Sequence, residues 1–150
     1  MKNFLAGVML ALASAGAAFA ADKGTQDEAV AMVKKAVALI KAKGRDAALA
    51  EFNNPKGGFV DRDLYIFVLD KDGVTLANGV NQRLVGKNVM QLKDADGKFF
   101  IKNFLELGDT KGKGWAPEYK WSNTVTQAME TKQSYVEKVD NLYVGCGVYK

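Results

Sequence analysis

Residues 25 to 43 carry apolar side chains at helical spacing. Val30, Val33, Val37 and Ile40 recur three and four apart, Met32, Ala36 and Leu39 widen the stripe, and Lys34, Lys35 and Lys41 take the other side. Thr25 and Glu28 stand three apart at the start, the spacing of a capping box. Gly44 is a natural stop. "RDAALAEFN" predicts a second, shorter helix that ends before the turn formers of 53–58. The period then changes to two. Tyr65, Phe67 and Leu69 alternate with Ile66 and Val68, and both sets are apolar, so this strand is expected to be covered on both faces. "DKDG" turns the chain into a return strand through Val74, Leu76 and Asn78. Within the Gly- and Asp-rich run 81–114, "KFFIKNFLEL" predicts about three helical turns, because Phe100, Phe104 and Leu107 share a face. The last third is extended again: "GWAPEYKWSN" as one strand, "KQSYVEKV" as another, a tight turn at 140–141, and "LYVGCGVYK" as the closing strand. The order predicts an α+β fold, with a long N-terminal helix packed on an antiparallel sheet of about five strands.

The first twenty residues follow a different pattern. Lys2 precedes an apolar run, and the segment closes on Ala18-Phe19-Ala20, a small-x-small site. This predicts a signal peptide at 1–20, cleaved after Ala20, and one domain at 21–150 in the periplasm or outside the cell. No second apolar stretch is long enough to span a bilayer.

Composition narrows the chemistry. Cys146 is the single cysteine, so no disulfide forms within the chain. Histidine is absent, which removes Ser-His-Asp and Cys-His catalysis and most zinc sites. The net charge is +4, but lysines are interspersed with acids, unlike the clustered basic face of a nucleic-acid binder. Asp70-Lys71-Asp72-Gly73 and Asp94-Ala95-Asp96-Gly97 resemble the start of a calcium loop, yet their twelfth positions are Asn81 and Leu105 where an EF-hand needs Glu. These motifs read as turns. No phosphate-binding glycine loop or paired-carboxylate signature is present, and no cofactor is implied. Between two glycines, Cys146 reads as a small packed side chain.

Both tryptophans fall in "GWAPEYKW". In a regular strand Trp115, Tyr119 and Trp121 share one face, either as core or as walls of a small-ligand pocket. Pro117 cannot donate to a sheet ladder, so this strand is an edge or bulges there. A one-residue bulge would put Trp115 on the opposite face from Tyr119 and Trp121. Tyr65 and Tyr135 are candidate hydroxyl donors, and Lys132 or Arg62 candidate partners for an anion.

Taken in order, "GGFVDRDLYIFVLDKDGVTLANG", "LVGKNVMQLKDADGKFFIK", "GKGWAPEYKW" and "KQSYVEKVDNLYVGCGVYK" resemble the single Cache domain, type 2, in a free-standing exported form. The resemblance runs from the helix at 25 to Lys150. It implies a PAS-like sheet under a long helix, with a pocket between the sheet and the excursion after the second strand. It implies an extracytoplasmic sensor for a small ligand, often a carboxylate, without catalysis. By resemblance the site residues are Tyr65, Tyr119, Trp121, Lys132 and Tyr135; Arg62 and Trp115 are added from their residue types. Without an attached signalling domain, the domain is expected to report to a membrane receptor or kinase, act as a binding protein, or buffer its ligand. The alternative is a structural or interaction module whose aromatic strand is core and whose edge contacts a partner or a second copy.

Overall fold

The computed structural model describes residues 22–150. The expected signal peptide and its cleavage site lie outside the described residues. Within them the chain forms three α-helices and eight strands.

Helix α1 (Gln26–Lys43) begins at the expected capping box. The Glu28 N–H donates to Thr25 Oγ1 at 3.3 Å, and the Thr25 N–H donates to Glu28 Oε2 at 2.8 Å. Gly44 ends the helix at φ 84°, a conformation that favours glycine. Helix α2 (Arg45–Phe52) follows at once. A short hairpin, β1 (Val60–Asp61) and β2 (Leu64–Tyr65), leads into β3 (Phe67–Asp70) and β4 (Thr75–Asn78). Helix α3 (Phe100–Lys111), β5 (Lys113–Trp115), β6 (Tyr119–Ser122), β7 (Met129–Val139) and β8 (Leu142–Tyr149) complete the chain.

The main sheet is antiparallel in the order β4-β3-β8-β7-β5, and β6 also pairs with β7. Six strands therefore occupy five positions, as expected. One prediction changes. "GWAPEYKWSN" is two strands, not one, because the ladder breaks around Pro117. Trp115 pairs with Tyr135 and Tyr119 with Lys132, four residue steps against three. The extra residue is a bulge, and it separates Trp115 from Tyr119 and Trp121.

Each face of the sheet is covered. Ile66, Val68, Ala77, Val144, Cys146 and Val148 pack with the buried stripe of α1. On the other face Phe67, Leu69, Val136 and Tyr143 pack with Phe100, Phe104 and Leu105 of α3. Burying a side chain of this size contributes about 1.5–3 kcal/mol, so two apolar layers stabilise the fold without a cross-link. The loop before α3 is tied down by Asp94. Its Oδ1 accepts from the Asp96 and Lys98 N–H groups, and its Oδ2 accepts from the Lys120 N–H of β6 at 2.8 Å. Burial works to raise the Asp94 pKa, but these donors outweigh it and hold the carboxyl below its ordinary value. Asp70 caps its own turn in the same way, accepting from the Asp72 and Val74 N–H groups. Both Asp-x-Asp-Gly motifs thus spend their first carboxylate on backbone donors.

Candidate functional site

Between the second face of the sheet and the segment from Leu84 to Phe104 lies a cavity of about 40 Å3. Its walls are mostly apolar: Phe67, Leu69, Val89, Phe100, Phe104 and Trp121 among them. Tyr119 stacks on Phe100, with ring centroids 4.5 Å apart and planes 4° from parallel. The Tyr119 and Ser134 hydroxyls are 2.8 Å apart and buried. Burial pushes the Tyr119 phenol well above its ordinary pKa, so it stays a neutral hydrogen-bonding group.

Lys132 supplies the charge. It is 1% exposed, and its Nζ donates to Tyr65 Oη at 2.8 Å. The ammonium also lies over two rings, 4.1 Å from the centroid of Tyr65 and 4.7 Å from that of Tyr149. Such contacts lessen the cost of burial but leave the charge in place. Among the described residues no carboxylate lies within 4.0 Å of Nζ. The buried carboxylate of Asp63 instead accepts from the Gly24 N–H at 2.8 Å and the Asn123 amide at 3.5 Å. Because Tyr65 accepts from Lys132, its own O–H is left to donate. One wall of an apolar cavity thus offers an ammonium and a phenol, a pair of donors suited to a small anion.

Local sequence explains how a lysine fits there. On β8, Gly147 faces Ser134 and Tyr149 faces Lys132. A Cβ on Gly147 would lie 2.3 Å from Lys132 Cε and 2.5 Å from Ser134 Oγ. A Cβ on Gly145 would lie 2.2 Å from the Phe67 ring. The glycines of "VGCGVYK" are therefore troughs for the side chains of β3 and β7. Cys146 between them faces the α1 layer, fully buried, and burial raises its thiol pKa to about 12.

The model of the Single Cache domain 2 family matches residues 1–150. The chain belongs to this family. A sensor histidine kinase, MctS of Rhizobium johnstonii, is 32% identical over 90 residues, 59% of this chain and 19% of that protein. The chain thus spans less than a fifth of this curated relative. The fold is shared with a methyl-accepting chemotaxis protein of Vibrio parahaemolyticus, at a TM-score of 0.69 and 23% identity over 82% of this chain and 86% of that one. It is also shared with a Cache chemosensory domain described for carboxylic acid recognition, at 0.68 and 23%, over 82% and 91%. Single Cache domains are sensor modules for small ligands, and no enzyme family is indicated.

Of the seven side chains expected in the site, this Cache domain brings four to the cavity: Tyr65, Tyr119, Trp121 and Lys132. Three stand elsewhere. Tyr135 is three residues from Lys132 on the same strand, so its side chain points to the opposite face, where its ring lies 5.6 Å from that of Trp115 in the α1 layer. Its hydroxyl donates to Glu137 at 3.2 Å. Trp115 follows it there because of the bulge. Arg62 lies in the β1–β2 turn at φ 58° and is engaged by Glu28, Asp61 and Asp22 at 2.6, 3.1 and 3.3 Å. Sequence reading missed Tyr149, Gly145 and Gly147 at this site. The two glycines alternating with Val144, Cys146 and Val148 were the available signal, since they leave one face of the closing strand open to side chains of its neighbours.

Proposed function

We propose that this single Cache domain binds a short carboxylate without transforming it, outside the cytoplasm, and reports occupancy to a membrane receptor or kinase. One observation carries the reading: the Lys132 ammonium is buried against an apolar cavity with no carboxylate beside it. A charge in that position is costly unless an opposite charge joins it. A ligand carboxylate meets both needs, accepting from Lys132 and Tyr65 while its carbon chain lies against Phe100, Tyr119 and Trp121. The size of the cavity, far below the ~300–1,000 Å3 of sites for drug-sized molecules, limits the ligand to a few carbons. The extracytoplasmic location rests on the leader-like pattern of residues 1–20, and the signalling partner on kinship with sensor kinases and chemoreceptors.

The test is a thermal-shift and calorimetric screen of short carboxylates, amines and amino acids, repeated with Lys132→Ala. Selective stabilisation by a carboxylate, weakened about tenfold or more in the variant, is expected. Equal affinity in both proteins removes Lys132 from the site. A flat screen joined to a melting temperature that rises with protein concentration favours the interaction-module reading instead.

A further inference from the structure

Thr75 and Asn78 are three residues apart in β4, a spacing that puts side chains on opposite faces of a regular strand. Here they share one. Phe67 pairs with Asn78 and Val68 with Ala77, but Leu69 pairs with Thr75, so Leu76 is an extra residue. Leu76 and Ala77 turn toward the α1 layer, while Thr75 and Asn78 stand with Phe67 and Leu69 and line the cavity. Bulges beside sites commonly re-aim side chains in this way.

Both residues are buried, Thr75 to 3% exposure and Asn78 to 6%. Asn78 Oδ1 accepts from the Val80 N–H at 3.1 Å and the Asn81 N–H at 2.8 Å. These two donors fix the orientation of the amide and leave its Nδ2 with two N–H groups to donate. The backbone of Asn78 is also engaged, its N–H by Asn53 and its carbonyl by Gln82. The Thr75 backbone pairs with Lys87 and Gly86. Among the described residues neither Asn78 Nδ2 nor Thr75 Oγ1 has a hydrogen-bond partner, and neither is sealed from the cavity. Polar atoms of residues this buried are usually paired within the protein; these two instead keep exposed surface where the residues line the cavity.

We propose that Thr75 and Asn78 form a second polar subsite, and that the ligand is a short carboxylic acid bearing a further oxygen, hydroxyl or oxo. This rests on the carboxylate reading above. The two ends differ in chemistry. Lys132 and Tyr65 present a cation and a phenol to the carboxylate. Asn78 Nδ2 presents only donors and needs an acceptor, while the Thr75 hydroxyl either donates or accepts. A hydroxyl or carbonyl oxygen satisfies both. A plain alkyl acid puts CH groups against them and leaves buried donors unpaired.

The experiment is calorimetric titration of the full chain with four acids of three carbons: propionate, lactate, pyruvate and 3-hydroxypropionate. At least one oxygenated acid is expected to bind about tenfold or more tightly than propionate, the cost of stranding buried polar groups. Thr75→Val keeps the shape and removes the hydroxyl. It is expected to bring that ratio within about threefold, with propionate bound as tightly as before or more so because no Thr75 hydroxyl is stranded, and Thr75→Ser is expected to restore it. Propionate binding that is not weakened shows that the variant is folded with its charged end intact. Equal binding of all four acids, as when water alone serves Thr75 and Asn78, overturns the subsite and leaves the carboxylate reading standing. So does a ratio that survives Thr75→Val. Binding of none of these acids, nor of any other short carboxylate in the screen, overturns the carboxylate reading and the subsite with it.

Discussion

The Lys132 ammonium donates to the Tyr65 hydroxyl at 2.8 Å, joining residues 67 positions apart in the chain. The bond links β7 to the end of β2, just before the chain enters the main sheet as β3, and it holds the charge at the cavity wall. Replacing a buried charge by an apolar side chain of similar length is often neutral or stabilising, whereas stranding it is costly. Lys132→Met is therefore expected to keep or raise the melting temperature while lowering carboxylate affinity about tenfold or more. Paired calorimetry and thermal melts separate the two effects. A variant that loses affinity only by unfolding would assign Lys132 a structural role.

Gly147 offers a test that leaves every polar group in place. Its missing Cβ is the trough through which Lys132 crosses β8. Gly147→Ala is expected to cost about 1–3 kcal/mol of stability through overpacking. It should also displace the ammonium and weaken the ligand more than Tyr65→Phe does, since that change removes one donor and nothing else. Retained affinity in Gly147→Ala would mean that Lys132 has another route to the cavity.

Much of this was legible in the chain. The α1 stripe and capping box, the hairpin at Asp70 and the helix through Phe104 follow from spacing alone, because local periodicity sets them. The double covering of β3 was written in two apolar sets, and Phe67 and Val68 indeed face different layers. Spacing also bore on Tyr135, since a residue three from Lys132 faces away on a regular strand. Other features depend on pairing across the sheet. The β1–β2 hairpin is too short to show a period. The β4 bulge is defined by its partner Leu69, not by any residue of its own, so the sequence placed Asn78 in the return strand but marked neither it nor Thr75 as a site residue. Pro117 signalled the other bulge because proline lacks the N–H a ladder needs.

The two tryptophans should report different things. Trp121 lines the cavity, 5.2 Å from the Phe100 ring, while Trp115 packs on the α1 side. Ligand binding is expected to change Trp121 emission. Trp115→Phe should keep the ligand-induced change and Trp121→Phe should abolish it. A response that follows Trp115 instead would place the ligand on the face covered by α1.

Cys146 should be inert in the native state and should link stability to pH. Only the thiolate reacts readily, and burial lifts this thiol from 9.0 to about 12. At pH 8 an alkylating reagent is expected to label it no faster than the chain unfolds. The folded pKa is raised, so the thiol's contribution is complete below the unfolded value of 9.0 and is lost as pH rises toward 12. Buried tyrosines such as Tyr119 and Tyr149 act in the same direction, because burial raises them too. Comparison with Cys146→Ala cancels them. The alanine variant starts less stable, since it leaves a void beneath Met32, but its stability should fall less steeply above pH 9. The difference between the two proteins should shift by about 2–3 kcal/mol by pH 11. Parallel curves in denaturant titrations across that range would show that the thiol ionises equally well folded and unfolded, and that the pocket-side troughs at Gly145 and Gly147 leave it open to water.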